Sequence, residues 1–187
     1  MAKIYEFIAN GSEEIEALTT VDVLRRAGHD IQTVSINATH EVELSHGVKI
    51  LCDMTIADSD FSDADMLLLP GGLPGTYNLR DCEAVRNAIS AQANAGKLIG
   101  AICAAPQILG GLGLLQGKRA TCYPGTEELM TGATYTKETY TVDGNIITGC
   151  GPAATLPYSY AILRMLGDDD KADALQEGMM FNQLIKG

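Results

Sequence analysis

The segment Ala101-Ile102-Cys103-Ala104-Ala105-Pro106 closes the apolar run Leu98-Ile99-Gly100 and opens the helical pattern Gln107-Ile108-Leu109. This order predicts a strand-to-helix turn with a cysteine at its apex, flanked by residues small enough for a tight, strained backbone. A thiol so placed meets unpaired amide N–H groups and the positive end of a helix, both of which favour thiolate over thiol. The plain alternative is a buried structural cysteine, the commoner fate of such residues. The turn context favours chemistry, so Cys103 is the candidate nucleophile.

A nucleophile needs a proton partner. Projecting the first helical segment at ~100° per residue puts Glu16 in one sector with Thr20, Val23 and Ala27, away from Asp22, Arg25 and Arg26. A carboxyl on so uncharged a face is expected to be desolvated, with a raised pKa, and able to donate a hydrogen bond to a thiolate. Glu16 also admits the reading of an ordinary first-turn carboxylate, as Glu13 and Glu14 do, with Ser12 as the N-cap. The Gly71 and Gly72 amides, following the apolar stretch Met66–Leu69, could join that of Ala104 in an oxyanion pocket, although Pro-Gly-Gly alone is an ordinary turn. Of the three histidines, His29 enters a strand at the amino end of the sheet, and His40 and His46 lie in a polar hairpin region. None is placed beside Cys103, so a Cys-His-Asp triad of the protease type is not supported.

Strand-like and helical patterns alternate along the chain. Strands are expected at Ile4–Ala9, Ile31–Ile36, Met66–Leu69, Leu98–Ala101, Thr121–Tyr123, Tyr140–Val142 and Asn145–Thr148, with a hairpin of Val42–Leu44 and Val48–Cys52 and a turn at Asp143-Gly144. Helices are expected over Glu13–Ala27, Ala84–Ala95, the residues after Cys103, Thr155–Leu166 and Lys171–Ile185. Such βαβ units imply a mostly parallel sheet covered on both faces, with its ligand site where strands exit. The exits are Asn10-Gly11-Ser12, Pro70-Gly71-Gly72, Ile102-Cys103-Ala104 and Gly149-Cys150-Gly151-Pro152. Cys150 shares that face; the remaining cysteines are taken as structural.

At 187 residues and 46% hydrophobic, with no repeat or linker, the chain is expected to form one domain, residues 1–187. Five cysteines without C-x-x-C spacing argue against a disulfide framework or a zinc site, and for a reducing cytoplasm. A net charge of −11 repels phosphate backbones and anionic lipid, so neither nucleic acid nor membrane is expected as a partner. The opening apolar stretch is too short for a secretion signal or a membrane span. No metal or cofactor is expected.

Gly11-Ser12-Glu13-Glu14-Ile15-Glu16, Val21 through Gly28, Leu69-Pro70-Gly71-Gly72, Ala101 through Pro106, and Gly151-Pro152 together resemble the DJ-1/ThiJ/PfpI superfamily, close to its DJ-1 branch. The resemblance covers nearly the whole chain and implies a single-domain α/β fold. This is a flavodoxin-like, doubly wound, mostly parallel sheet with helices on both faces, as in class I glutamine amidotransferases. It implies a homodimer packed partly through the first helix. It makes Cys103 an oxidation-prone nucleophile, Glu16 a protonated carboxyl bonded to it, and Gly72 and Ala104 the oxyanion donors, with Gly71, Tyr123, Gly151 and Pro152 completing the substrate-binding set.

The activity implied is cofactor-independent conversion of glyoxal or methylglyoxal to a hydroxy acid, of the glyoxalase III or deglycase kind. The alternative is a non-catalytic redox sensor or redox-regulated chaperone using the same thiol. A flavin or phosphate binder is a third reading, and the first strand exit lacks a phosphate loop for it. Three positions depart from the family pattern. Tyr123 stands where many relatives carry histidine, and His46 and Cys150 stand where they carry arginine.

Overall fold

The computed structural model describes residues 1–58 and 60–185. Strand β1 (Lys3–Ile8) is followed by helix α1 (Glu14–Arg26), which turns at the left-handed Gly28 into β2 (Asp30–Ser35), parallel to β1. The polar stretch that follows folds as a separate two-stranded hairpin, β3 (Glu41–Glu43) and β4 (Lys49–Leu51), before a short β5 (Met54–Thr55). Then come β6 (Met66–Leu69), α2 (Gly75–Asp81), α3 (Glu83–Asn94), β7 (Leu98–Ile102) and α4 (Pro106–Gly111). The last third holds β8 (Arg119–Ala120), β9 (Thr134–Tyr135), β10 (Tyr140–Asp143), β11 (Ile146–Gly149), α5 (Thr155–Met165), α6 (Asp169–Gly178) and α7 (Phe181–Leu184).

Seven strands form the central sheet in the order β10-β11-β7-β6-β1-β2-β5, and the pairing is parallel except between β10 and β11. Side chains alternate across it. Tyr5, Phe7, Leu67, Leu69 and Ile99 meet α2, α3 and α4 through Leu79, Val85, Ile89 and Ile108. Ile4, Met66, Leu68, Ile102 and Ile147 meet α1 and α5 through Val21, Leu24, Tyr158 and Ile162. The doubly wound α/β architecture expected from the alternating patterns is present, and both cores share one sheet. No described helix is long and apolar enough to cross a membrane.

Several local expectations are corrected. Thr121–Tyr123 is not a strand: the Thr121 N–H donates to Thr148 Oγ1 and the Tyr123 N–H to the Cys103 carbonyl, and the short strand preceding them, β8, pairs with β9 outside the main sheet. The C-terminal helix breaks at Met180, whose φ of +63° ends α6 and starts α7. The Asp143 side of the hairpin is paired to Ile146, so its two-residue turn is Gly144-Asn145. Glu13, not Ser12, caps α1: its carboxylate accepts from the Glu16 N–H at 2.8 Å, while the Ser12 hydroxyl accepts from the Ala9 N–H. Helix α2 has no counterpart in the sequence pattern, because its start at Pro74-Gly75 reads as a continued turn.

At the amino end of the strands the His29 ring is almost wholly buried. Its Nδ1 accepts from the Ala2 N–H at 3.1 Å, and its Nε2 lies 2.8 Å from Asp168 Oδ2. Accepting at Nδ1 requires the neutral ring. Burial lowers its pKa below the ordinary histidine value, outweighing the attraction of Asp168. The fold therefore holds the neutral form, and its contribution is complete above pH about 6.5 and is lost as pH falls further, where the unfolded chain binds the proton first. The difference in melting temperature between the wild type and His29→Gln is expected to be largest near pH 8 and to shrink by pH 5.5. A difference that is constant across that range would remove His29 from the linkage.

Candidate active site

Cys103 is the first residue past β7, in the left-handed region at φ +62°. A non-glycine residue there costs about 1 kcal/mol or more, so its surroundings must impose it. They do so through the main chain. The Cys103 N–H donates to the Gly149 carbonyl and its carbonyl accepts from the Tyr123 N–H, each at 2.8 Å, while the Ala105 N–H closes the turn onto Ile102. Pro106 then starts α4 with its fixed φ. The elbow is as expected, and its residue is only 8% exposed.

Glu16 has no exposed surface. Its Oε2 accepts from the Gly71 N–H at 2.8 Å, and its Oε1 has no hydrogen-bond partner. A Cβ at Gly71 would lie 2.6 Å from the Cys103 Cβ and 2.8 Å from Glu16 Oε2, and one at Gly72 would lie 2.5 Å from the Glu13 N. The two glycines are there because main chain, thiol and carboxyl converge in a space with no room for a side chain. Cys103, Glu16, Gly71, Gly72 and Ala104 are thus brought together.

Burial raises the Glu16 pKa to about 7, and the nearby Glu13 charge adds to this against the bonds from Cys103 and Gly71. Burial, together with the Glu16 charge, also pushes the Cys103 thiol up, while the Gly72 and Ala104 N–H groups pull it down. The two groups titrate as a coupled pair that holds a single negative charge between them.

Around the thiol, Tyr123 is 49% exposed. Its ring lies 3.3 Å from where a Gly151 Cβ would be, and Pro152 begins a short 3-10 turn leading into α5. Cys150 is partly buried on the neighbouring strand exit. The histidines are engaged elsewhere: His29 at the far end, His40 on the Cys52 carbonyl, and His46 on Glu14 at 2.8 Å. Glu13, Glu14 and His46 bring three ligand atoms within 4.8 Å of one another, which the sequence did not suggest. In this structure they tie the hairpin to α1 and cap that helix. The sequence analysis also did not single out two buried polar side chains on the α1 and α5 face of the sheet, Glu6 and Tyr158. The signal for Glu6 was a charge interrupting the apolar β1 run.

The geometry has counterparts among known proteins. "Protein DJ-1 homolog A" of Arabidopsis thaliana is 39% identical over 169 residues, which are 89% of this chain and 43% of that protein, so the chain spans less than half of it. "Glutathione-independent glyoxalase DJR-1.2" of Caenorhabditis elegans is 31% identical over 166 residues, 88% of each chain. The solved structure "Toxoplasma gondii DJ-1, oxidized" superposes with a TM-score of 0.92 at 31% identity, covering 96% of this chain and 98% of that one. The DJ-1/PfpI family model matches residues 2–165, from before β1 to the end of α5, and on that match the chain belongs to the DJ-1/PfpI family.

Proposed function

We propose that this chain is a cofactor-independent, cysteine-dependent enzyme that converts small α-oxoaldehydes such as methylglyoxal or glyoxal to hydroxy acids. The observation that carries this reading is the buried Cys103–Glu16 pair at a left-handed elbow, lined by the Gly72 and Ala104 amides. The name of the nematode relative supports it.

The Glu16 carboxylate takes the thiol proton as the sulfur adds to the aldehyde carbon, and the two N–H groups hold the oxygen that becomes negative. Glu16 returns that proton to the oxygen and, again a carboxylate, takes the hydrogen from that carbon and delivers it to the neighbouring carbon, while the hydroxyl proton passes to the neighbouring oxygen. The aldehyde carbon is oxidised to the thioester level and the adjacent carbonyl is reduced to an alcohol, so no outside oxidant takes part. Water cleaves the thioester and frees the thiol. Tyr123, Gly151 and Pro152 form the wall against which the substrate rests.

A second reading uses the same atoms: peroxide oxidises Cys103 to a sulfenic or sulfinic acid, and the protein signals its redox state or acts as a redox-regulated chaperone. The oxidised state of the superposable Toxoplasma structure favours keeping it. The five free cysteines fit a reducing compartment such as the cytoplasm.

A second copy of this chain covers the apolar cleft of about 720 Å³ between Ile15 and Leu18 of α1 and Pro152, Leu156 and Met179. Ile15 is 54% exposed there, and the cleft adjoins the Pro152 wall of the site.

Lactate formed from methylglyoxal is expected to vanish with Cys103→Ser and to fall by about 100-fold or more with Glu16→Gln. Turnover that survives loss of the thiol would exclude the enzymatic reading. Because the base must be ionised, kcat/KM is expected to rise with pH through about 7 in the wild type. In Glu16→Gln that limb should disappear. Gly71→Ala should impair activity as Glu16→Gln does, since its methyl group displaces both reacting side chains. Sedimentation should give a dimer for the wild type and a monomer for Leu18→Glu; a monomeric wild type at micromolar concentration would leave the cleft without its second copy.

A further inference from the structure

Tyr123 is a large aromatic side chain left half in solvent beside a buried thiol. Among the described residues its ring meets no other ring and no cation, and its hydroxyl has no hydrogen-bond partner. Its backbone, by contrast, is held at both ends. The Tyr123 N–H donates to the Cys103 carbonyl at 2.8 Å, and the Tyr123 carbonyl accepts from the Thr126 N–H at 3.1 Å and from the Thr126 hydroxyl at 2.8 Å. One edge of the ring rests on Gly151, where a Cβ would lie 3.3 Å from Cδ2 and 3.7 Å from Cε2. A fixed main chain thus presents an unoccupied aromatic surface next to the elbow.

The other sides of the thiol are taken. A Cβ at Gly71 would lie 2.6 Å from the Cys103 Cβ, and Glu16, bonded to the Gly71 N–H, fills the side towards α1. The Gly72 and Ala104 N–H groups act on the sulfur and are the places for a substrate oxygen. With the oxygen on those amides and the mobile hydrogen at Glu16, the group carried on the second carbon is left with the Tyr123 side. Leu73, the residue after Gly72, adds a second apolar side chain at this end of the sheet, 52% exposed.

That side offers no counter-charge to an anion. Among the described residues no arginine, lysine or histidine is bonded to the loops at 71–72, 103–104, 123 or 149–152. His46 is on Glu14, Arg80 on Asp81 and Arg119 on Glu138. The charged groups bonded into these loops and their neighbours are acids: Glu16 on Gly71, Glu13 on the Glu16 N–H, and Glu127 on the Gly125 N–H two residues past Tyr123. A negatively charged substrate would bring like charge to a partly desolvated place.

Resting on the proposed action on α-oxoaldehydes, we propose that Tyr123 is the specificity-determining residue of the site. It selects uncharged oxoaldehydes that carry a flat apolar group, which packs on the exposed ring, and the site rejects oxoaldehydes that carry a carboxylate. A phenyl group covers that ring where a methyl group covers little of it. Because the tyrosine backbone is already fixed, little ordering opposes the contact.

The test compares phenylglyoxal, methylglyoxal and glyoxylate as substrates, and 2-bromoacetophenone, iodoacetamide and iodoacetate as probes of the thiol. In each probe reaction the Cys103 sulfur bonds to carbon and displaces the halide, and the label is read by mass on the Cys103 peptide. KM for phenylglyoxal is expected about fivefold below that for methylglyoxal, and 2-bromoacetophenone to be preferred over iodoacetamide about fivefold more than by free cysteine. Tyr123→Phe should keep both ratios, and Tyr123→Ala should abolish both through KM rather than kcat. Glyoxylate should not turn over, and iodoacetate should lag iodoacetamide about tenfold more than it does with free cysteine. Ratios unchanged in Tyr123→Ala would overturn the role of Tyr123, and turnover of glyoxylate or ready labelling by iodoacetate would overturn the selection against charge. Labelling needs no turnover, so intact probe ratios without any product would sink the enzymatic reading alone. Turnover with ratios indifferent to Tyr123→Ala would sink this inference alone.

Discussion

The 2.8 Å hydrogen bond from the Gly71 N–H to the Glu16 carboxyl holds the site in register, because it joins the loop after β6 to the first turn of α1 where the elbow after β7 also arrives. Three segments far apart in sequence meet in a space that excludes even a methyl group at Gly71. A carboxyl with no exposed surface cannot choose its partners from solvent, so its position and its proton are set by these contacts. The rest of the architecture serves to bring them together: parallel pairing sets the depths of the strand exits, and the main-chain bonds from Gly149 and Tyr123 set the angle of the elbow.

The electrostatics follow from the same enclosure. Burial disfavours charge on both Glu16 and Cys103, and their proximity forbids two charges at once. The pair behaves as one titrating unit that carries a single negative charge. The Gly72 and Ala104 amides, which pull the thiol's proton affinity down, are the groups that would hold a developing oxyanion. A hindered thiol with a buried base suits chemistry started by substrate binding better than indiscriminate reaction with whatever electrophile passes.

The opposite end of the sheet shows a different use of a titratable group. His29 is neutral because its Nδ1 must accept from the Ala2 N–H, and it ties the chain start to the loop before α6. It has no route to the thiol. Within one molecule, burial serves packing at one edge and, in the proposed function, would serve proton transfer at the other, and the difference lies in whether the buried group faces a strand exit.

How far the sequence reaches can be judged from particular residues. The alternation of apolar runs and amphipathic segments determined the doubly wound class, since each strand and helix carries its own period and the right-handed crossover admits few arrangements. It also determined the elbow at Cys103 and the uncharged sector of Glu16, because both are local. Helix α2, the fate of Thr121–Tyr123 and the cap at Glu13 were not legible: each depends on a partner distant in sequence or on a side chain competing with the backbone for one hydrogen. Tertiary structure alone decided the surroundings that shift the proton affinity of the site. Proton affinity depends on what surrounds a group in three dimensions, and the residues around the Glu16 carboxyl come from the loop after β6 and the elbow after β7, whose convergence no local period encodes.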